Sequence, residues 1–113
     1  MSLHPDVYII IPVFNEAATL RTVIVDLEAH GFTNVIVVDD GSTEDIFYGI
    51  SDLPVYYLRH RANLGQGAAL QTGFEFARSF QPTVVVTFDA DGQHDHRDPE
   101  RQTDHQLGDR TRI

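Results

Sequence analysis

Four short runs of β-branched and apolar residues mark the chain, and each gives way abruptly to polar residues. They are Val7-Tyr-Ile-Ile-Ile-Pro-Val13, Asn34-Val-Ile-Val-Val-Asp39, a shorter Pro54-Val-Tyr-Tyr-Leu58, and Thr83-Val-Val-Val-Thr-Phe88. Unbroken apolar runs of this length, bounded by turn residues, predict strands covered on both faces. Pro12 would cost a ladder hydrogen bond, so it belongs at the end of pairing, and the short third strand belongs near an edge. Between the first two runs, Ala17, Leu20, Val23, Ile24 and Leu27 recur at helical spacing, with Asn15 as N-cap and Gly31 as stop. Leu70, Phe74, Ala77 and Phe80 trace a second helix before Pro82, and the piece from Glu44 to Ser51 reads as irregular or briefly helical.

Strands alternating with helices predict an α/β fold with a mostly parallel, Rossmann-like sheet and flanking helices. In such sheets ligands sit beyond the carboxyl ends of the strands. The polar clusters at Pro12 to Glu16, Asp39 to Thr43, Arg59 to Gly67 and Asp89 to Gln93 all fall at that edge. One polar strand tip is ordinary; four that converge predict a site. The last has the most telling chemistry. Asp89 and Asp91 are oxygen ligands suited to a hard divalent cation such as Mg²⁺ or Mn²⁺, and on a strand they would point the same way. The competing reading is a plain Asp-Gly turn. From His96 onward only Leu107 and Ile113 are sizeable apolar residues, so residues 96–113 read as an irregular or disordered tail behind a folded unit at 1–95.

Composition narrows the chemistry. A chain of 113 residues holds one small domain. Acidic residues outnumber basic ones 17 to 8, which argues against a nucleic-acid surface. There is no cysteine, hence no disulfide, thiol nucleophile or thiolate metal site. Every basic residue is arginine, so a lysine base, Schiff base or phosphate-binding lysine is excluded for this chain acting alone. No apolar run is long enough to cross a bilayer and no signal-peptide pattern opens the chain, which reads as cytoplasmic.

Taken in order, Ile-Ile-Pro12-Val-Phe-Asn15-Glu16, Val-Val-Asp39-Asp40-Gly41-Ser42-Thr43, Asn63-Leu-Gly65-Gln-Gly67-Ala-Ala69 and Asp89-Ala-Asp91-Gly-Gln93-His94 resemble the motifs of the family 2 glycosyltransferases. This is an inverting group of GT-A fold, and the wording of the last motif is similar to the dolichol- and polyprenyl-phosphate sugar synthases. The resemblance covers roughly residues 6–95 and implies the nucleotide-binding half of a GT-A domain. It implies that Pro12, Phe14 and Glu16 line a nucleoside pocket, that Asp40 bonds the base, and that Asp39 lies near the ribose or is structural. It further implies that Gly65 and Gly67 let backbone approach the diphosphate, and that Asp89, Asp91 and Gln93 bind Mg²⁺ or Mn²⁺. In a chain without lysine, Arg61 is a candidate diphosphate ligand. The donor would be a UDP- or GDP-sugar and the acceptor a polyprenyl phosphate, at the inner face of a membrane, or a saccharide.

The sequence after Asp95 does not resemble the family's acceptor half, so no acceptor base is assigned. The chain is expected to bind nucleotide-sugar without efficient transfer, and to associate through exposed sheet edges; a non-catalytic nucleotide-binding fragment is the alternative. Other readings fit less well. A dinucleotide fingerprint would put glycines straight after the first strand, where Pro12-Val-Phe-Asn-Glu stands. Haloacid-dehalogenase phosphatases and response-regulator receivers need a lysine. An EF-hand loop starting at Asp89 would place His94 where glycine is required.

Overall fold

The computed structural model describes residues 2–91. Gln93, His94 and the expected tail at 96–113 lie outside the described residues. Seven elements follow one another: β1 (Val7–Val13), α1 (Ala17–Ala29), β2 (Val35–Asp39), a 3-10 turn (Phe47–Ile50), β3 (Tyr56–Arg59), α2 (Gln66–Arg78) and β4 (Val84–Thr87). The strands form one sheet in the order β3-β2-β1-β4, every pairing parallel. The expected fold class and the placement of β3 at an edge are therefore both met.

Neighbouring side chains on β1 go to opposite faces, and the core divides accordingly. Ile9, Ile11 and Val13 join Leu20, Val23, Ile24 and Leu27 of α1, with Phe32, Val35 and Val37. Ile10 joins Ile36, Val38 and Val85 beneath Ala69 and Ala77 of α2. Burial on both faces explains why the strands lack alternation.

The second helix differs from expectation in which residues meet the sheet. Ala69, Gly73 and Ala77 are its buried residues, while Leu70, Phe74 and Phe76 flank the contact. Small side chains let the helix backbone approach the strands, and a Cβ on Gly73 would stand 2.6 Å from Ile10 Cγ2. Phe80 lies past the helix end, stacked on Tyr8 with ring centroids 5.2 Å apart.

Pro12 is accommodated by position. The ladder between β1 and β4 ends at Ile10 and Thr87, where the Phe88 N–H donates to Ile10 O, whereas the ladder with β2 continues to Val13 and Asp39. Pro12 shares its parity with Ile10, so its missing N–H faces the β4 side beyond the last pairing.

Candidate functional site

The two carboxylates that close β2 do different work. Asp39 is 0% exposed and turns inward. Its Oδ1 accepts the Ser42 N–H at 2.9 Å, its Oδ2 accepts the Tyr57 hydroxyl, and Arg59 Nε stands 4.0 Å away. Arg59 also donates to Ser42 O at 3.0 Å, so this arginine is part of the scaffold and no loose surface charge. Burial first, then the bond to Asp39, push the Tyr57 phenol up from its ordinary value.

Asp40 is 4% exposed and lies at the cleft. Its Oδ1 accepts from His60 Nδ1 at 2.8 Å and from the Leu64 N–H at 2.9 Å; its Oδ2 accepts the Gly65 N–H at 2.8 Å. His60 Nε2 meets Thr72 Oγ1 of α2 at 2.7 Å. Burial alone would raise the Asp40 carboxyl, but the donors from Leu64, His60 and Gly65 outweigh it and hold the group below the usual carboxylate range. One buried carboxylate thus ties together the ends of β2 and β3 and the start of α2. Gly65 enters that helix at φ +102°, a conformation suited to glycine.

Asn15 is not the N-cap of α1. It adopts φ +53°, and its backbone N–H donates to Ser42 Oγ at 2.9 Å. Its Oδ1 accepts the N–H groups of Thr43 at 2.9 Å and Glu44 at 3.2 Å, lacing the loop after β1 to the loop after β2. The helix starts one residue later, with Glu16 at the N-cap position and the Ala17 N–H received by Glu44 Oε1 at 3.1 Å. A short-range pattern cannot reveal a cap delivered from 27 residues away.

Asp89 and Asp91 also differ from expectation in local structure. β4 ends at Thr87, so both lie beyond the strand and the alternation argument does not apply to them. The loop is instead anchored to α1, where the Thr19 hydroxyl donates to Ala90 O at 2.7 Å. Burial, followed by the charges of Asp91, Asp89 and Glu44, pushes the Glu16 carboxyl above its ordinary value, against a hydrogen bond at Phe14 that lowers it. The acidic loop therefore acts on the same residue that lines the cleft with Asp40.

A cleft of about 270 Å³ is lined by Pro12, Val13, Phe14, Glu16, Asp40, Asn63, Gly65, Gln66 and Ala69. Three of the four polar clusters thus contribute walls, and the fourth reaches Glu16 electrostatically. Of the predicted residues, Pro12, Phe14, Glu16, Asp40 and Gly65 line it; Asp39, Arg61 and Gly67 do not. Val13, Asn63, Gln66 and Ala69 also line it, with no role assigned to them from the sequence, and His60 and Thr72 stand behind Asp40 without lining the cleft.

Among the described residues, no three His, Asp or Glu side chains form a ready-made cation cage. The donor set nonetheless suits a divalent ion that takes only part of its shell from protein. Mg²⁺ uses one or two carboxylates and completes its shell with water and substrate phosphate. Repulsion among Glu16, Asp89 and Asp91 is the field such a cation would relieve.

The parallel sheet, flanked by helices and with a cleft beyond its strand tips, defines an α/β protein of Rossmann-like architecture. The sequence profile of Glycosyl transferase family 2 matches residues 8–113, running past Asp95 where recognisable motifs stop, and the chain belongs to that family. It is 33% identical over 105 residues to a UDP-N-acetylglucosamine–dolichyl-phosphate N-acetylglucosaminyltransferase of Methanococcus voltae, covering 78% of this chain and 42% of that protein. It is 37% identical over 100 residues to an undecaprenyl-phosphate 4-deoxy-4-formamido-L-arabinose transferase of Pseudomonas fluorescens, covering 78% and 28%. The chain thus spans less than half the length of these relatives. Glucosyl-3-phosphoglycerate synthase from Mycobacterium tuberculosis, solved with Mn²⁺, UDP-glucose and phosphoglyceric acid, has the same fold. The TM-score is 0.59 at 23% identity, over 74% of this chain and 32% of that one. The sheet is that of a GT-A domain.

Proposed function

We propose that the cleft binds the donor of a glycosyl transfer, a nucleotide-diphosphate sugar, together with Mg²⁺ or Mn²⁺. The observation that carries this reading is the meeting of Asp40, Glu16 and Gly65 in one cleft whose Glu16 feels the Asp89 and Asp91 charges. Pro12 and Phe14 form an apolar wall for the nucleoside, and Gly65 offers backbone without a side chain in the way. Asp89 and Asp91, with Gln93, are the proposed cation ligands. When bound, the cation supplies charge neutralisation to the departing diphosphate. Asp39 is assigned to the scaffold, and Arg61 and Gly67, which do not line the cleft, are left out of the proposed set.

The reaction is a single displacement at the anomeric carbon. An acceptor oxygen forms the new bond while the bond to the diphosphate oxygen breaks on the opposite face, inverting the centre. The chain's own contribution is orientation of the donor and a preorganised polar environment. A polyprenyl phosphate is the proposed acceptor, supported by the two relatives whose names contain dolichyl and undecaprenyl phosphate. Its oxygen is already ionised at neutral pH, so the step needs no protein base.

Isothermal titration of the chain with UDP- and GDP-sugars, with and without Mn²⁺, tests the proposal. Mn²⁺-dependent binding that weakens at least about tenfold in Asp91→Ala is expected from loss of a charge-assisted ligand. Binding indifferent to both the metal and that substitution would contradict it.

A further inference from the structure

Thr19, in the first turn of α1, spends its hydroxyl outside its own helix. A helical threonine has a local partner at hand, the carbonyl three or four residues back. Here the hydroxyl donates at 2.7 Å to Ala90 O, 71 positions along the chain. Ala90 is the residue between Asp89 and Asp91. At 2% exposed, it belongs to the same core as Leu20, Val23 and Ile24 of α1. Phe88, 8% exposed, joins that core too, and its N–H donates to Ile10 O at 3.0 Å. The backbone between the two carboxylates is thus pinned by a buried methyl and by a hydroxyl of α1, while Asp89 and Asp91 stay half-buried on either side.

That pin acts against a repulsion. Burial, then the charges of Asp91 and Asp89, raise the Glu16 carboxyl, so like charges meet at the start of the helix that holds the loop. Thr19 follows Glu16 by three residues and is its neighbour on the helix surface. Repulsion from Glu16 and the bond from Thr19 therefore bear on the loop from the same side, in opposite senses. Before a cation arrives, Coulomb's law favours a loop swung away from Glu16, and the hydroxyl bond opposes that swing. A cation binds more tightly when its ligands are already gathered, because their ordering is complete in the folded chain.

We infer that Thr19 is a positioning residue for the proposed Asp89 and Asp91 cation site, its hydroxyl bond to Ala90 O holding the loop against α1 in the arrangement that takes Mg²⁺ or Mn²⁺. The inference rests on the cation-binding reading above. Thr19 does not line the cleft and supplies no ligand of its own; it acts through the Ala90 peptide.

Mn²⁺ titrated into the whole chain, with and without UDP, tests this by loss of the free-ion electron paramagnetic resonance signal. The site counted is the one lost in Asp91→Ala. Thr19→Val keeps the branched shape and removes the hydroxyl, and the Mn²⁺ Kd should rise about three- to tenfold, the usual weight of one hydrogen bond. Thr19→Ser restores a hydroxyl and should restore the affinity. Thr19→Ala loses the hydroxyl but gains helix propensity, so its Tm should hold while its Mn²⁺ affinity falls with that of Thr19→Val. Thr19 is exposed, which favours folding of all three variants. A merely structural tie would show in Tm alone, so lowered Tm with wild-type Mn²⁺ affinity overturns the inference. Thr19→Ser binding as weakly as Thr19→Val does so too. Should Thr19→Val fail to fold, Thr19→Ala and Thr19→Ser decide. Equal Mn²⁺ binding by wild type and Thr19→Val sinks the inference while the cation reading stands; no Mn²⁺ binding by the wild type removes both.

Discussion

At the scale of single residues, two carboxyl groups of the cleft respond to pH in opposite senses. Asp40 has a folded pKa below its ordinary value. Its contribution to stability is complete above the unfolded carboxylate pKa of about 3.9 and is lost as pH falls through the folded value. Glu16 has a folded pKa above its ordinary value. Its contribution is complete below that ordinary value and is lost as pH rises through the folded one, so at neutral pH its charge is a burden. Without metal, Glu16→Gln should raise stability at pH 7, on the order of 0.5 kcal/mol after solvent screening, in urea unfolding. Asp40→Asn should cost about 1–3 kcal/mol in the same assay, because an amide NH₂ then faces one of the three donors, and the deficit should narrow in acid. The sequence marked Asp40 as a site residue through its strand-end position. It gave no sign of His60, because a histidine in a polar loop reads the same whether solvated or bridged between Asp40 and Thr72.

At the scale of elements, strand tips are held in register by short-range geometry that tolerates little change. Gly41 has φ +73°, and a Cβ there would run into the Ala62 carbonyl carbon and the Asn63 nitrogen. Gly41→Ala should therefore cost about 2–4 kcal/mol through strain and displaced backbone, and should weaken nucleotide binding because Asn63 lines the cleft. Gly73→Ala sets two effects against each other. Helix propensity favours alanine by about 1 kcal/mol, whereas the new methyl presses on fully buried Ile10 for about 1–3 kcal/mol. The clash should win, with net destabilisation in thermal melts. The elements themselves were legible wherever apolar residues were large. The stripe of Leu20, Val23, Ile24 and Leu27 gave α1 its buried face correctly. On α2 the buried face is Ala69, Gly73 and Ala77, and small residues carry little weight in a pattern of hydrophobicity. Asn15 misled for a different reason. Its side chain does cap backbone N–H groups, but those of the loop after β2 and not those of its own helix.

At the scale of the molecule, parallel topology followed from the alternation of strands and helices, but the strand order β3-β2-β1-β4 did not, since nothing local states which strands become neighbours. Among the described residues β4 pairs only with β1, and β3 only with β2. Open edges of apolar strands favour further pairing, so sedimentation velocity should show association that grows with concentration, opposed by the net charge of −9 and therefore stronger with added salt. No helix among the described residues is long and apolar enough to cross a membrane. What gives the molecule its proposed role is the gathering of four distant loops at one rim. Mn²⁺ titrated into ¹⁵N-labelled protein with UDP present tests that gathering most directly, through paramagnetic broadening of amide signals. The expected result is broadening first at Glu16, Ala17 and Ala90, with Leu64 and Gly65 shifting as nucleotide fills the cleft. Broadening centred on the far ends of the helices, near Glu28 or Arg78, with Gly65 unmoved, would contradict the account.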